Sequence, residues 1–386
     1  MSQWKKVKLG ELYEVHNGLS KGRKFFGKGF PFLSFTTVFN NFFLPDKLDS
    51  LVMSTEKERE ACSIRRGDVF ITRTSETMDE LGMSCVALKD YPNATYNGFT
   101  KRLRPLNEKV VPGFIGYYLR SPQFRGKFMA FSTMTTRASL ANDQLLSMEI
   151  ELPDNATQSK IASILFKYDS LIENYQRQIK LLEEAAQRLY KEWFVDLHFP
   201  GYENTKIVDG VPEGWEKTVL SKIAEFRRGK TVVKKEITVG SIPVVAGGLT
   251  PAYYFNKANT ENRVITISGS GANAGFTKLY YQRVWASDCS FVDTSMTEHL
   301  YFVYCFMKAN KINIDNLQKG AAQPHVYAKD INNLQIIIPD HNILSQFEAK
   351  VANAFERIAI LKSQLRLLTE ARDRLLPKLM SGEIEV

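Results

Sequence analysis

Residues 4–18 read WKKVKLGELYEVHNG, and residues 215–229 read WEKTVLSKIAEFRRG. With Trp4 laid on Trp215, Leu9 falls on Leu220, Leu12 on Ile223, Glu14 on Glu225 and Gly18 on Gly229, an offset of 211. A second match lies at an offset of 186, where Ile150 falls on Ile336, Leu152 on Ile338, Pro153 on Pro339 and Asp154 on Asp340. It continues without a gap through Leu165 on Val351, Ile172 on Ile358, Ile179 on Leu365 and Arg188-Leu189 on Arg374-Leu375. Such self-similarity reads as one unit written twice. The beginnings and ends of the two units agree better than their middles. The frame is shared, and the middles do separate work.

Each unit closes in a long heptad. Ile161, Leu165, Tyr168, Ile172, Tyr175, Ile179, Leu182, Ala186, Leu189 and Trp193 alternate spacings of four and three, the pattern of a coiled-coil seam. Phe347, Val351, Ala354, Ile358, Leu361, Leu365, Leu368, Leu375 and Leu379 repeat it, broken only by Arg372. Pro377 is expected to end or kink the second helix. The span from Ile161 to Trp193 makes a helix roughly 50 Å long, and the obvious partner for such a seam is its own copy. Ahead of each helix lies a strand-rich region. Strands fit Val69–Thr72 and Val264–Ser268, each running into a polar loop, together with 82–88, 276–281, 148–152 and 334–338. Short helices fit 112–120 and 298–308. Eight phenylalanines crowd residues 25–43, and core packing explains them better than base stacking.

The composition removes several classes. The chain has 386 residues, 51 Lys+Arg against 42 Asp+Glu, 44% hydrophobic and 24% charged residues, which is globular and mildly basic. The longest apolar run, 301–307, is far short of a membrane span, and MSQWKKVKLGEL lacks the apolar core of a signal peptide. A cytoplasmic protein is expected. Cys62, Cys85, Cys289 and Cys305 form no CxxC pair, which argues against structural zinc and a disulfide framework. There is no GxxxxGK[ST], no GxSxG, no HExxH and no Asn-Pro-Pro-aromatic tetrapeptide. Pro339-Asp340 with Glu348-Ala349-Lys350 imitates a metal-dependent nuclease. Glu348 and Lys350, however, sit two apart on a helix and do not face alike, and the matching positions, Ala162 and Ile164, carry no such groups.

A long helix running into WFVDLHFPG (193–201), then VPEGWEKTVLSKIAEFRRG (211–229), a second unit and a helix ending RDRLLPKLMSGEI (372–384) together resemble the specificity subunit of a type I restriction–modification system. The likeness covers the whole chain. Its proline-helix junctions depart from the usual Pro-Pro and Glu-Gln, with Pro153-Asp154 and Gln158, and Pro339-Asp340 and Gln346. The resemblance implies a non-catalytic DNA reader. The fold expected is α+β, with two similar target-recognition domains related by a pseudo-two-fold and joined by two long antiparallel coiled-coil helices. The domains fall at 1–153 and 215–339, the spacer helices at 154–195 and 340–386, and the linker at 196–214. Each domain would read one half of a bipartite asymmetric target on double-stranded DNA. The helices would set the spacing and dock two methyltransferase subunits. The chain itself would need no cofactor. S-adenosylmethionine, ATP and magnesium belong to the partners, which include restriction subunits where present.

Base reading favours Arg, Lys, Asn, Gln, Ser and Thr on loops at strand ends. These are Arg73, Thr74 and Ser75 with Thr135, Thr136 and Arg137 in the first unit, and Ser268, Ser270 and Asn273 with Gln323 and His325 in the second. Lys21, Arg23 and Lys24, answered by Arg227, Arg228 and Lys230, suit phosphates. Glu183, Glu184, Arg188, Lys191, Glu370, Arg374 and Lys378 flank the seams and are candidates for binding partner protein. For every one of these the competing reading is a solvated side chain. Two other classes stay open beside the DNA reader: a coiled-coil scaffold whose domains bind protein, and an enzyme with an unrecognised site.

Overall fold

A computed structural model describes residues 4–75, 80–131, 133–134, 138–139, 141–232, 240–320 and 323–386. Its contacts divide the chain into two units, Met1–Glu173 with Arg366–Val386, and Asn174–Leu365. The first contains, in order, β1 (Lys5–Lys8), β2 (Tyr13–Asn17), β3 (Phe26–Leu33), α1 (Phe35–Asn40), β4 (Ser50–Val52), α2 (Glu56–Ala61), β5 (Val69–Thr72), β6 (Thr74–Ser75), β7 (Ser84–Val86), β8 (Thr95–Tyr96), β9 (Thr100–Pro105), α3 (Pro112–Tyr118), α4 (Pro122–Phe131), β10 (Thr133–Met134), β11 (Ala138–Ser139), α5 (Asn142–Ser147) and β12 (Glu149–Leu152). Helix α6 (Asn155–Phe194) and a small hairpin, β13 (Ile207–Val208) with β14 (Val211–Pro212), follow. The second unit adds β15 (Glu216–Val219), β16 (Arg227–Arg228), β17 (Ile242–Val245), β18 (Tyr253–Phe255), β19 (Val264–Ser268), β20 (Thr277–Tyr280), β21 (Trp285–Ala286), β22 (Cys289–Asp293), α7 (Leu300–Ala309), α8 (Lys311–Asp315), α9 (Ala328–Asn332) and β23 (Gln335–Ile338), and α10 (His341–Met380) ends the chain's helices.

The two units have one topology. The main sheet runs β2-β9-β5-β7 in the first and β16-β22-β19-β20 in the second. A smaller sheet runs β4-β3-β8 and β18-β17-β21, with the last pair parallel in both. The opening strand returns to the strand before the long helix, β1 on β12 and β15 on β23. Even the register repeats: Lys5 faces Leu152 and Glu216 faces Ile338, the residues related by the two sequence offsets. The central strands explain themselves. VFIT and VITIS are buried at every position because each lies between two neighbouring strands with a core on both faces of the sheet.

Gly18 and Gly229, matched in the repeat, do one job. A Cβ at Gly18 would lie 2.2 Å from the Asn97 carbonyl oxygen, and one at Gly229 would lie 2.4 Å from that of Ser287. Backbone presses on backbone, so neither neighbour can yield cheaply. Gly18→Ala is expected to lower stability by about 1–2 kcal/mol. Gly22→Ala, where nothing among the described residues lies within 4 Å, should change it by less than about 0.5 kcal/mol. Urea denaturation of the two variants makes the comparison, and equal effects would refute the packing argument.

The long helices contribute to both cores. In the first unit Ile161 and Leu165 of α6 share a core with Leu376 and Leu379 of α10 and with Phe114 of α3. In the second, Ile179, Ala186, Tyr190 and Trp193 join Phe347, Val351, Ile358 and Leu361. There the two helices run antiparallel, because Glu183 meets Lys362 at 3.0 Å while Trp193 meets the Phe347 ring at 6.0 Å. Arg372, the break in the seam, is only 19% exposed in its side chain and pairs with Asp169 of α6 at 2.8 Å. Pro377 does not end the helix. Its ring removes one N–H, and α10 continues to Met380, held by the bond from the Ser381 N–H to the Pro377 carbonyl at 3.0 Å and by buried Leu379 and Met380. The phenylalanine-rich segment is divided: Phe25, Phe32, Phe42 and Phe43 join the cores, Phe35 and Phe39 are half-buried and stack on each other, and Phe26 and Phe30 are exposed. Phe32 is buried, and Phe42 and Phe43 pack on Tyr117. Phe30 stays partly exposed beneath the Arg59 guanidinium, 3.9 Å away.

Candidate nucleic-acid interface

In the first unit the polar loop begins where β5 ends. The Thr72 hydroxyl, buried, donates to the Glu80 carbonyl at 2.9 Å and accepts from the Met83 N–H at 2.9 Å. The next residue, Arg73, donates its N–H to the Phe99 carbonyl at 3.0 Å and brings a guanidinium nitrogen to 3.5 Å from Asn17 Oδ1. Among the described residues its buried Nε has no hydrogen-bond partner. Thr74 and Ser75 then form β6, which pairs with β11, which in turn pairs with β10. The strand that holds Thr74 and Ser75 therefore adjoins the short hairpin strands that bracket the second segment chosen from sequence. Thr135, Thr136 and Arg137, between β10 and β11, lie outside the described residues, as do the side chains of Thr74 and Ser75.

One cation lies close to Arg73. Lys101 stands opposite Asn17 in the sheet, is buried and donates to Asn142 Oδ1. Burial, with Arg73 nearby, holds its ammonium below the usual lysine range. Of the basic stretch, Arg23 and Lys24 are exposed on a short 3-10 turn. Lys21 is not free for a phosphate. Its ammonium is held by Glu58 at 2.7 Å, and its side chain is 14% exposed.

In the second unit the loop after β19 and the segment 323–327 are stitched together through the backbone. Gly271 N–H donates to the Pro324 carbonyl and Val326 N–H to the Gly269 carbonyl, both at 3.0 Å. Ser270 and His325 face each other across an isolated bridge. The Ser270 hydroxyl donates to Asp288. Gln323 is exposed, Asn273 partly so at the end of a 3-10 turn, and the His325 ring lies parallel to Tyr327 with centroids 6.0 Å apart. Ser268 departs from expectation. It is 3% exposed and donates to the Gly247 carbonyl at 3.0 Å, because it is the last buried position of β19 and points beneath the loop. Arg227 and Arg228 are exposed on β16, with Arg227 3.9 Å from Glu225. Lys230 is exposed, and its carbonyl accepts from Trp285 Nε1 at 2.6 Å.

A cavity of about 220 Å³ opens among Arg228, Asp288, Ser290, His325, Tyr327 and Lys329. Sequence reasoning selected Arg228 and His325 but missed Asp288, Tyr327 and Lys329. Tyr327 had a signal, as an aromatic two residues from a chosen histidine. Asp288 had none, since its neighbour Ser270 is distant in sequence. The site has acceptors, donors and an aromatic face but no metal cage: among the described residues no three His, Cys, Asp or Glu side chains group to hold an ion. The nuclease-like triplet disperses. Asp340 Oδ1 caps α10 by accepting the Asn342 and Ile343 N–H groups, Glu348 turns to α7, and Lys350 lies over Trp193.

The candidate partner-binding residues are engaged in local ion pairs. Glu183 clasps Lys362 of the facing helix. Glu184 lies between Lys180 and Arg188, Glu370 between Arg366 and Arg374, Lys191 beside Asp196 and Lys378 beside Glu383. Exposed pairs of this kind contribute little stability and leave a charged, accessible surface. Leu181 and Ile360 are exposed on the second unit's helices, and Leu171 and Leu367 on the first's. No helix among the described residues is long and apolar enough to cross a membrane.

The model of the type I restriction modification DNA specificity domain family matches residues 1–184 and again 212–367. The type I restriction enzyme MjaIX specificity subunit of Methanocaldococcus jannaschii is 28% identical over 362 residues, covering 86% of this chain and 82% of that protein. The HindI specificity subunit of Haemophilus influenzae is 24% identical with both chains covered in full. Among solved structures, the S subunit of a type I restriction-modification system from M. genitalium superposes with a TM-score of 0.65 at 18% identity, over 97% of this chain and 96% of that one, which shows a shared fold. Two copies of one domain, each matched by the same family model, leave one conclusion: this chain belongs to the type I restriction modification DNA specificity domain family.

Proposed function

We propose that the chain is the sequence-reading subunit of a type I restriction–modification complex and performs no chemistry itself. Residues 1–153 and 215–339 act as recognition domains, each reading one half of a bipartite, asymmetric target on double-stranded DNA. The helices within 154–195 and 340–386, with 196–214 as linker, set the spacing and receive two methyltransferase subunits. Those partners bring S-adenosylmethionine; restriction subunits, where the system has them, bring ATP and magnesium. The complex works in the cytoplasm. The observation that carries this reading is the repetition of one topology and register with polar loops at the ends of both main sheets. A frame used twice presents two reading heads. The loop chemistry supports contact with base edges, and Arg23, Lys24, Arg227, Arg228 and Lys230 support contact with phosphates. Exposed Leu181 and Leu367, related by the 186 offset, support matching protein contacts on the two helices.

The test is co-expression with the adjacent methyltransferase, followed by methylome sequencing with and without this chain. A bipartite motif should appear only when the chain is present. Replacing residues 1–150 by those of a relative should change one half of the motif and leave the other. An active methyltransferase with no such motif would end the reading and leave the protein-binding scaffold in its place. Binding of the complex to its target should also weaken steeply as salt rises, which an apolar scaffold interface would not do.

A further inference from the structure

The two main sheets share their backbone at one end and differ there in side chains. In the first unit Thr72 pairs with Thr100, and the Arg73 N–H donates to the Phe99 carbonyl at 3.0 Å. In the second, Ser268 pairs with Cys289, and the Gly269 N–H donates to the Asp288 carbonyl at 3.1 Å. Gly82 and Gly275, both with positive φ, return the chain to Thr72 and Ser268 through the same kind of N–H bond. Position 73 therefore corresponds to 269, and 99 to 288. Neither sequence offset connects them.

The chemistry at the second of these positions is opposite in the two copies. Phe99 is 61% exposed, more than any other phenylalanine among the described residues, and its ring faces solvent from a polar loop. Asp288 binds the Ser270 hydroxyl through Oδ2, and among the described residues Oδ1 has no partner. Glycine at 269 makes the room: a Cβ there would lie 3.2 Å from Asp288 Oδ1 and 3.2 Å from its carbonyl oxygen. Because the Ser270 proton is directed to Asp288, the pair offers acceptors only. A bare carboxylate beside phosphates costs binding unless it meets a donor.

We propose that Phe99 and Asp288 are specificity-determining residues at corresponding positions of the two recognition domains. Phe99 packs on the 5-methyl group of a thymine in one half-site. Asp288 accepts the N4 amino group of a cytosine in the other. Both contacts belong to the major groove, where the thymine methyl and the cytosine amine are each unique to their base. The proposal rests on the DNA-reading function above and names which base each domain selects at one position.

The experiment is methylome sequencing of cells carrying the methyltransferase with the intact chain, Phe99→Ala, Asp288→Ala or Asp288→Asn. Asp288→Asn preserves shape while adding a donor, so it separates a lost acceptor from a lost fold. Phe99→Ala should relax one T·A position in one half of the motif. Both Asp288 variants should relax one C·G position in the other half, with discrimination falling about tenfold at that position only. The proposal is overturned if a variant keeps the parental motif and discrimination, or if the relaxed position holds a different base pair. An intact chain that directs no bipartite motif removes the DNA-reading function itself, and that result is read from the parental arm alone.

Discussion

Asp169→Ala should destabilise the first unit by about 2–3 kcal/mol, because it strips a partly buried cation of one anion and a buried hydroxyl of its acceptor. Asp169 receives the Arg372 guanidinium at 2.8 Å through Oδ1 and the Tyr117 hydroxyl at 2.5 Å through Oδ2. Tyr117 is fully buried. Burial, then the Asp169 bond and charge, push its phenol far above the ordinary range, so it acts as a fixed donor. Arg372 retains Asp373 at 2.8 Å, which keeps the loss below that of an isolated buried pair. The triple variant Tyr117→Phe, Asp169→Leu, Arg372→Leu completes the heptad with apolar groups. It should match or exceed the parental stability, since a well-packed apolar replacement avoids the desolvation of both charges. Hydrogen exchange of α3 and β9 amides in the full chain reads the first unit directly. Asp169→Ala within about 0.5 kcal/mol of the parent would contradict the argument.

Arg372 also marks how far the sequence could be read. As a break in a heptad it was visible, but its partner was not. Asp169 flanks the seam of the other helix, and nothing in the spacing says which flank turns inward. The doubling itself was legible because both offsets carry positions fixed by backbone packing. Gly18 and Gly229 cannot carry a Cβ, and β1–β12 and β15–β23 hold the same register. The candidate loops were legible only as places. Residues after β5 and β19 were found from strand-then-polar patterning, whereas Ser268, chosen with them, is the last inward position of its strand. Phe99 and Asp288 escaped because they come from the middles of the repeats, where insertions erase the offset. Their correspondence exists only in strand pairing between segments far apart in the chain.

Glu348, which imitated a catalytic carboxylate in the sequence, should instead make the second unit's stability depend on pH. Helix α7 has no side-chain cap of its own at His299, and Glu348 of α10 supplies one, accepting the Phe302 N–H at 2.7 Å. Burial raises its carboxyl from 4.5 to about 7, against the bonds from Phe302 and Tyr301, which favour the anion. The folded state thus holds a proton that the unfolded chain releases near pH 4.5. Below that pH both states are protonated and the cap contributes in full. From 4.5 upward the unfolded state gains by ionising, and stability falls until the folded group also ionises near 7. The loss should total about 3 kcal/mol and level off above that pH. Glu348→Gln keeps an acceptor for Phe302 and cannot ionise. It should match the parent near pH 4.5 and exceed it by that amount above pH 7, in urea titrations read by exchange of α7 amides. A parent and variant whose stabilities run parallel across this range would show that Glu348 is already ionised in the folded chain, with the helix terminus outweighing burial.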